Sequence, residues 1–299
     1  MGDSDESSSI IAGLWRLPTW GMDAPALAAW TRRVLDLGID TIDLADVYGG
    51  YTVEESFGAA LREDAALRDA LTIITKCNIK IVNERRPEHT RHVYDSSEAH
   101  IVASVENSLR VLGTDRIDVL LLHRQDPLMD PDEVAHAFEG LRAAGKVLAF
   151  GVSNFTPSHL DALQSRLDTP LVTNQIEVSL LRLDAFEDGT LDQALAHRFR
   201  PMAWSPLAGG RLFDAASEHE TPARETRVRD ALLRVAEQVD AAPDVVAHAF
   251  LLRHPSGIRP ITGSGRIERI AAAVEATTLT LSREQWFDLW TASTGQSLP

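Results

Sequence analysis

The segment TIDLADVYGG, residues 41–50, is the part of the chain around which the other motifs can be placed. It opens with β-branched and apolar residues, a composition that predicts a short strand. Asp43 lies near the end of that strand, and Tyr48 follows in a turn that ends with two glycines. A phenol has an ordinary pKa of about 10, so a proton-donating Tyr needs a nearby cation. The next predicted strand, at positions 71–76, ends with Lys76.

Strand-like and helix-like runs alternate along the whole chain. The predicted strands occupy positions 10–15, 39–44, 71–76, 119–123, 147–152, 171–176, 200–204 and 257–261. The predicted helices occupy positions 24–37, 53–62, 97–112, 132–144, 157–166, 191–196, 227–239, 245–253, 267–276 and 283–291, and a long polar loop covers positions 79–97. Alternating βα units imply parallel strands joined by right-handed crossovers. Eight such units in about 250 residues predict an α/β fold of the (β/α)8 TIM-barrel type.

A doubly wound open sheet is the main alternative to the barrel. Such a sheet normally has a glycine-rich phosphate loop after its first strand. Here Gly13 stands alone after Ile10 and Ile11, without a GxGxxG pattern, so the barrel is favoured. We expect residues 10–299 to form a single barrel domain, preceded by a disordered acidic tail at positions 1–9.

Composition excludes several classes of function. The chain of 299 residues carries a net charge of -15, which argues against a nucleic-acid or anionic-membrane surface. No apolar run approaches the roughly 18 residues of a membrane span. The lone cysteine, Cys77, allows no intrachain disulfide, consistent with a cytoplasmic protein. His89, His92 and His100 have neither paired cysteines nor a carboxylate at ligand spacing, so we predict no metal site.

Polar and aromatic residues recur where the predicted strands end. They are Asp43 and Tyr48, Lys76, His123, Ser153 and Asn154, Gln175, and Trp204 and Ser205. Each one taken alone has an ordinary structural explanation, such as a helix cap, a solvated strand end or a core histidine. Barrel enzymes keep their chemistry at the C-terminal ends of the strands, so the combination favours a function.

Four of these residues, Asp43, Tyr48, Lys76 and His123, could act together in proton transfer. Asp43 would hold Lys76 as an ammonium, and that ammonium would lower the pKa of Tyr48 toward the working range. His123 could donate a hydrogen bond to the same oxygen that Tyr48 protonates. The set would stabilise an oxygen that becomes negative as a hydride arrives.

Five ordered motifs give the chain a family resemblance. They are DLADVYGG, NSLRVLGTDRIDVLLLH, GKVLAFGVSNF, TNQIEVSLL and AWSPLAGGRL, in that order. Over almost its whole length the chain resembles the aldo-keto reductases. Within that family, GGYTVEESFGAAL and ITGSGRIERIAAAVEA are similar to a bacterial branch of predicted oxidoreductases.

The resemblance implies an NADPH-dependent enzyme that reduces a small carbonyl substrate, an aldehyde or a ketone, to an alcohol. It implies a catalytic tetrad of Asp43, Tyr48, Lys76 and His123, with Tyr48 as general acid. The residues that it assigns to NADP(H) are Gly13, Leu14, Asp43, Ser153, Asn154, Gln175, Trp204, Ser205, Pro206, Leu207, Gly209, Arg211, Gly263, Ser264, Gly265, Arg266 and Arg269. Among these, Ser153, Asn154 and Gln175 would hold the nicotinamide carboxamide, and Arg266 and Arg269 would contact a 2′-phosphate.

Substrate contacts and alternative functions stay open at this stage. Trp15, Trp20 and Tyr51 could line the substrate mouth or could equally seal the barrel top. One alternative function is a cofactor-binding regulatory subunit with a reductase-like barrel. Another is a lyase or aldolase with Lys76 as a Schiff-base amine, although Asp43 would keep that amine charged. We expect a monomer or a weak homo-oligomer, with neither nucleic acid nor membrane as a partner.

Overall fold

The structure is a computed structural model, and it describes residues 8–213 and 223–298. Most of the expected disordered tail, positions 1–7, therefore lies outside the described residues. The strands are β1 Ile11–Gly13, β2 Thr41–Asp43, β3 Thr72–Cys77, β4 Ile79–Lys80, β5 Val93–Tyr94, β6 Ile117–Leu122, β7 Val147–Ser153, β8 Asn174–Glu177, β9 Met202–Trp204 and β10 Arg259–Thr262. The helices are α1 Ala24–Asp36, α2 Val53–Glu63, α3 Ala66–Ala70, α4 Glu98–Leu112, α5 Pro131–Ala143, α6 Pro157–Gln164, α7 Thr190–His197, α8 Ala223–Val239, α9 Pro243–Leu252, α10 Ile267–Glu275 and α11 Arg283–Thr294.

Eight of the strands close into a barrel, which confirms the predicted fold and excludes the open sheet. Their order around the barrel is β1-β10-β9-β8-β7-β6-β3-β2, while β4 and β5 form a separate two-stranded sheet. The pairing from β1 to β2, β2 to β3, β3 to β6, β6 to β7 and β7 to β8 is parallel. Parallel strands in one barrel place all their C-terminal ends on the same side.

Capping side chains set the ends of several helices. Asp23 accepts a hydrogen bond from the backbone of Ala26 at the start of α1, and Ser97 accepts one from His100 at the start of α4. Helix α4 ends at Gly113, whose φ of +70° is a left-handed conformation that glycine adopts at little cost. These caps satisfy backbone groups that the helix itself leaves without partners.

The structure contains elements that periodicity did not predict. The five-residue helix α3 precedes β3, and the β4–β5 hairpin lies inside the segment 79–97, which was expected to be a polar loop. Both are too short to show a hydrophobic period. Strand β8 begins at Asn174 rather than at position 171, because its ladder with β7 starts where Asn174 pairs with Val152.

The chain divides into two compact units. The first comprises residues 1–175 and 263–267, and the second comprises residues 176–262 and 268–299. In the first unit, Phe138 and Phe150 stack with ring centroids 4.0 Å apart. In the second, the Trp286 ring stacks on Phe250 at 4.8 Å within a core of buried aliphatic side chains. In the described part of the chain, no helix has both the length and the apolarity to cross a membrane.

Candidate active site

The ends of three neighbouring strands bring the predicted tetrad together. Asp43 is the last residue of β2, Lys76 lies near the end of β3, and His123 directly follows β6. Tyr48 lies in the turn after β2. That turn is fastened to β3 because the backbone N–H of Asp46 donates to the carbonyl of Lys76 at 3.1 Å. The barrel therefore places an acid, a phenol, an amine and an imidazole at one edge.

Lys76 is the centre of this group. Its Nζ donates to Asp43 Oδ1 at 2.7 Å, to the Leu44 carbonyl at 2.6 Å and to Tyr48 Oη at 3.1 Å. These contacts use all three protons of an ammonium. The side chain is 0% exposed, and burial by itself would lower the pKa of Lys76. Asp43 and Tyr48 outweigh that effect and raise its pKa, so Lys76 is charged.

The Tyr48 phenol differs from the sequence-based expectation. Burial raises the pKa of Tyr48, and the charge of Lys76 opposes that rise without overcoming it. The expectation that Lys76 brings the pKa of Tyr48 down into the working range is therefore wrong for the protein alone. The physical reason is desolvation, since a buried phenolate loses its hydration. At neutral pH, Tyr48 is a protonated donor.

His123 is a neutral imidazole. Burial, together with the positive charges of Lys76 and Arg124, lowers the pKa of His123 well below its ordinary range. Its Nδ1 is buried and has no hydrogen-bond partner among the described residues. The ring meets Tyr48 edge-on, with centroids 5.7 Å apart. A neutral imidazole retains one N–H, so it can donate a hydrogen bond without carrying charge.

The residues that were assigned to the carboxamide lie beside the tetrad. Gln175 Nε2 donates to Asp43 Oδ1 at 2.7 Å, and Ser153 Oγ donates to the Gln175 carbonyl at 2.8 Å. Asn154 Nδ2 donates to Ser153 Oγ at 2.8 Å and to the His123 carbonyl at 3.2 Å. This cluster of hydroxyl and amide groups has the chemistry that a carboxamide needs, so the residues present fit a nicotinamide. The bond from Gln175 to Asp43 was not foreseen from the sequence.

The exit of β1 lies next to the segment 263–267. A Cβ placed on Gly263 would lie 3.6 Å from the Gly13 carbonyl, and one on Gly265 would lie only 2.8 Å from Trp20 Cγ. Any larger residue at position 265 would therefore collide with the indole. Trp20 also meets Trp30, with centroids 5.1 Å apart. Trp20 thus supports a predicted cofactor loop, and its role toward substrate stays a prediction.

Leu14 and the expected phosphate-binding residues can be placed individually. Leu14 is buried, and its backbone N–H donates to the Asp43 carbonyl at 3.0 Å, which fastens β1 to the tetrad. The backbone N–H of Arg266 donates to Ser264 Oγ at 3.1 Å, so this loop is folded back on itself just before α10. The side chains of Arg266 and Arg269 are exposed, as binding a soluble phosphate requires.

The segment 204–212 belongs to the second unit. Trp204 ends β9, and the chain then passes through left-handed backbone at Ser205, Ala208 and Gly209, with φ of 51°, 52° and 70°. Pro206 is buried and Leu207 is half-buried in this tight turn. Arg211 donates to the Ala208 carbonyl and forms an ion pair of 3.1 Å with Glu225 of α8. Its expected cofactor role stays a prediction.

Tyr51 is engaged with the loop that carries the hairpin. Its Oη accepts from the Ile81 backbone at 3.1 Å and lies 3.1 Å from His89 Nδ1. The Arg86 guanidinium covers its ring at 5.0 Å. Tyr51 therefore anchors this loop beside the turn of the tetrad. Trp15 is 60% exposed, and a substrate contact by Trp15 or Tyr51 stays a prediction.

A buried acid was missed by the sequence analysis. Glu54 of α2 accepts hydrogen bonds from Thr75 Oγ1 at 2.6 Å and from Ser108 Oγ at 2.9 Å. It therefore joins α2 to β3, next to Lys76, and to α4. On the printed sequence Glu54 lies in an amphipathic helix beside Glu55, where an acid is normally solvated, so no local signal distinguishes it.

Comparison with known proteins agrees with this geometry. The family model described as the Aldo/keto reductase family matches residues 9–292. The chain is 47% identical over 293 residues to the oxidoreductase YcsN of Bacillus subtilis, covering 98% of this chain and 96% of that protein. It is 42% identical to a 6-dehydroglucose reductase of Agrobacterium fabrum, covering 100% of this chain and 98% of that protein.

A solved structure also resembles it. The aldo/keto reductase of Klebsiella pneumoniae, crystallised with NADP and acetate, has a TM-score of 0.75 and 28% identity, covering 95% of this chain and 90% of that one. The family match extends over nearly the whole chain, and the closed barrel is the fold that the resemblance implied. The chain therefore belongs to the aldo/keto reductase family of NAD(P)H-dependent oxidoreductases.

Proposed function

We propose that this protein reduces an aldehyde or ketone to an alcohol with NADPH, and that Tyr48 is the general acid. The observation that carries the proposal is the position of the Lys76 ammonium. It lies 2.7 Å from Asp43 Oδ1 and 3.1 Å from Tyr48 Oη, inside a buried site. That arrangement stabilises a phenolate after the phenol has given up its proton.

The proton would move from Tyr48 Oη to the carbonyl oxygen of the substrate. The bound cofactor would supply the hydride to the carbonyl carbon, and the tetrad would supply the proton and the compensating charge. As negative charge develops on the substrate oxygen, Tyr48 donates its proton and Lys76 compensates the charge left on the phenol. Asp43 keeps Lys76 protonated throughout, because the two groups form a buried ion pair.

His123 would orient the carbonyl. Its neutral ring can donate one hydrogen bond to the substrate oxygen, next to the bond from Tyr48. We assign this donor to Nε2, because the other nitrogen, Nδ1, is buried and has no partner among the described residues. A proton on Nε2 leaves an acceptor at Nδ1, and burying an unpaired acceptor is tolerated more often than burying an unpaired donor.

A polar sugar aldehyde is the substrate class that we propose to test first. The Agrobacterium relative, at 42% identity over 98% of its length, is named a 6-dehydroglucose reductase. The same tetrad would also reduce simple aldehydes, because its contacts are directed at the carbonyl oxygen. A panel of 6-dehydroglucose, short aldehydes and ketones, assayed by NADPH oxidation, would rank these substrates.

The first prediction concerns Tyr48→Phe. This change removes one hydroxyl from the site and keeps the ring that meets His123. We expect kcat to fall by at least about 100-fold, the lower range for general acid catalysis, with NADPH affinity nearly unchanged. Tyr94→Phe is the matched control, because Tyr94 lies on β5 and is 46% exposed. Normal turnover by Tyr48→Phe would show that another group donates the proton.

The same assay separates the alternative functions. A regulatory subunit would bind NADPH but oxidise it with none of the carbonyls in the panel. A Schiff-base enzyme would be trapped covalently by borohydride in the presence of substrate, through Lys76. The contacts of Lys76 argue against the Schiff-base enzyme, since all its protons are in hydrogen bonds and the amine is therefore a poor nucleophile.

A further inference from the structure

Asn78 is a buried residue with unusual backbone geometry. It lies just after β3 and is followed directly by β4, with a φ of +82° and no exposed surface. Residues other than glycine seldom adopt this left-handed conformation, although asparagine tolerates it better than most. We therefore expect the side chain of an asparagine buried in this conformation to make specific hydrogen bonds.

The carboxamide of Asn78 binds both polar backbone groups of one residue at the end of the neighbouring strand, β6. Nδ2 donates to the Arg124 carbonyl at 2.8 Å, and Oδ1 accepts from the Arg124 N–H at 3.1 Å. Nδ2 also donates to Ser96 Oγ at 3.1 Å, and the Asn78 carbonyl accepts from the Asp95 N–H at 2.9 Å. Asn78 thus connects the end of β3 with the residue that follows His123.

Two further hydrogen bonds fix the backbone of His123 itself. The His123 N–H donates to the Cys77 carbonyl at 3.0 Å, and the His123 carbonyl accepts from Asn154 Nδ2 at 3.2 Å. The backbone of residues 123 and 124 is therefore held by the residues 77 and 78 on one side and by Asn154 on the other.

The imidazole of His123 has no comparable restraint of its own. Its Nδ1 lacks a partner among the described residues, and its ring touches Tyr48 only through an edge-on contact. No hydrogen bond at Nδ1 fixes the ring among the described residues, so its position depends on the position of its backbone and on the packing around it. A shift of about 1 Å in a catalytic group can reduce a rate by as much as about 100-fold.

We propose that Asn78 is a positioning residue, which fixes the His123 imidazole beside Tyr48 by holding the backbone of Arg124. The inference rests on the proposed function, because this placement matters to catalysis only if His123 faces a carbonyl oxygen. Asn78 would act through His123 and would not touch the substrate.

The main test is Asn78→Gly, which accepts a positive φ and removes the whole side chain, including the carboxamide. We expect kcat to fall by about tenfold or more, with the affinity for NADPH unchanged. Ser96→Ala is the control, because it removes the bond from Asn78 to the loop and leaves both bonds to Arg124. We expect its kcat to stay near that of the wild type. If Asn78→Gly turned over normally, the proposal would be overturned.

A double-mutant cycle distinguishes positioning from general stability. In a His123→Gln background the imidazole is absent. Asn78→Gly should therefore lower kcat by a much smaller factor there than it does in the wild type. Equal losses in the two backgrounds would overturn the proposal. Asn78→Asp keeps the acceptor for the Arg124 N–H and loses the donor, so an intermediate loss is expected. It also serves as the test variant if Asn78→Gly does not fold.

NMR of histidine-labelled protein provides a measurement that needs no turnover. The His123 ring signal, assigned by its absence in His123→Gln, should report a pKa lowered by burial and by Lys76. In Asn78→Gly we expect that pKa to rise toward its ordinary value, while Ser96→Ala leaves it unchanged. An unaltered His123 signal in Asn78→Gly would overturn the positioning role. An altered signal in a protein that reduces no carbonyl would refute only the proposed function.

Discussion

At the scale of single residues, Lys76 decides the chemistry of the site. Three acceptors surround its ammonium, and each of them lies on or just after β2. In a buried environment, charge–charge interactions are stronger than in water, so Asp43 can keep Lys76 charged despite the loss of hydration. The same burial raises the pKa of Tyr48, so the phenol is protonated at neutral pH.

Cofactor preference is a second prediction at this scale. We expect NADPH to bind more tightly than NADH, because Arg266 and Arg269 offer exposed charge to a 2′-phosphate. A charged hydrogen bond contributes roughly 1.5–3 kcal/mol, so Arg269→Ala should weaken NADPH binding by about tenfold and leave NADH binding unchanged. Titration of both cofactors by fluorescence would measure this.

Arg283→Ala is a suitable control for the cofactor experiment. Arg283 is also exposed at the beginning of a helix, but it opens α11 and no motif assigns it to the cofactor. We expect this variant to bind both cofactors as the wild type does. Equal affinity of the wild type for NADPH and NADH would contradict the assignment of Arg266 and Arg269.

At the scale of elements, α2 is joined to the barrel by a buried carboxyl group. Glu54 accepts from Thr75 of β3 and from Ser108 of α4, and it interacts electrostatically with Asp46 in the tetrad turn. Burial raises the pKa of Glu54, and burial together with Glu54 raises that of Asp46 well above its usual range. The connection between α2 and β3 is therefore sensitive to protonation.

The sign of this sensitivity gives a third prediction. A carboxyl group with a raised pKa keeps its proton in the folded protein at pH values where the unfolded chain has released it. The free energy of unfolding therefore falls as the pH rises above the ordinary pKa of glutamate, 4.5. Glu54→Gln keeps the shape but has no proton to lose, so it should gain stability relative to the wild type as the pH rises.

Urea unfolding at about pH 4.5 and about pH 7.5 would measure the effect. Glu55→Gln is the matched control, because Glu55 is the next residue on α2 but is exposed and paired with Arg85. We expect the control to show no such gain. A constant difference in stability between the wild type and Glu54→Gln at both pH values would contradict the prediction.

At the scale of the whole molecule, the net charge of -15 is the dominant physical property. Like charges repel and oppose the compact state, and dissolved salt screens that repulsion. Surface ion pairs such as Arg85 with Glu55 are exposed on both sides and contribute little in compensation. A monomer or weak homo-oligomer remains the expected assembly for so acidic a chain.

The charge leads to a fourth prediction. The temperature of unfolding should rise when the NaCl concentration increases from about 10 mM to about 200 mM, because the screening length falls from about 30 Å to less than 10 Å. Differential scanning calorimetry would measure it, with an equally concentrated neutral sugar alcohol as control for osmotic effects. A temperature of unfolding that is constant or falls with salt would show that the acidic groups are already compensated.

The sequence by itself determined the fold class and the identity of the tetrad candidates. Strand-like runs such as residues 119–123 recur with helical runs between them, and this local periodicity is enough to predict a barrel. Because barrel strands end on one side, Asp43, Lys76 and His123 could be grouped from their positions in the strands alone. The family motifs added the cofactor residues, whose individual roles stay predictions.

Only the tertiary structure decided the electrostatics and the supporting contacts. The pKa of Tyr48 depends on whether burial or Lys76 dominates, and burial is a property of the packed molecule. Glu54 resembles any solvated helix residue until Thr75 and Ser108 are brought to it from other elements. Likewise, no local sequence pattern predicts the role of Asn78. Its partner Arg124 is 46 residues away and is reached only through the pairing of β3 with β6.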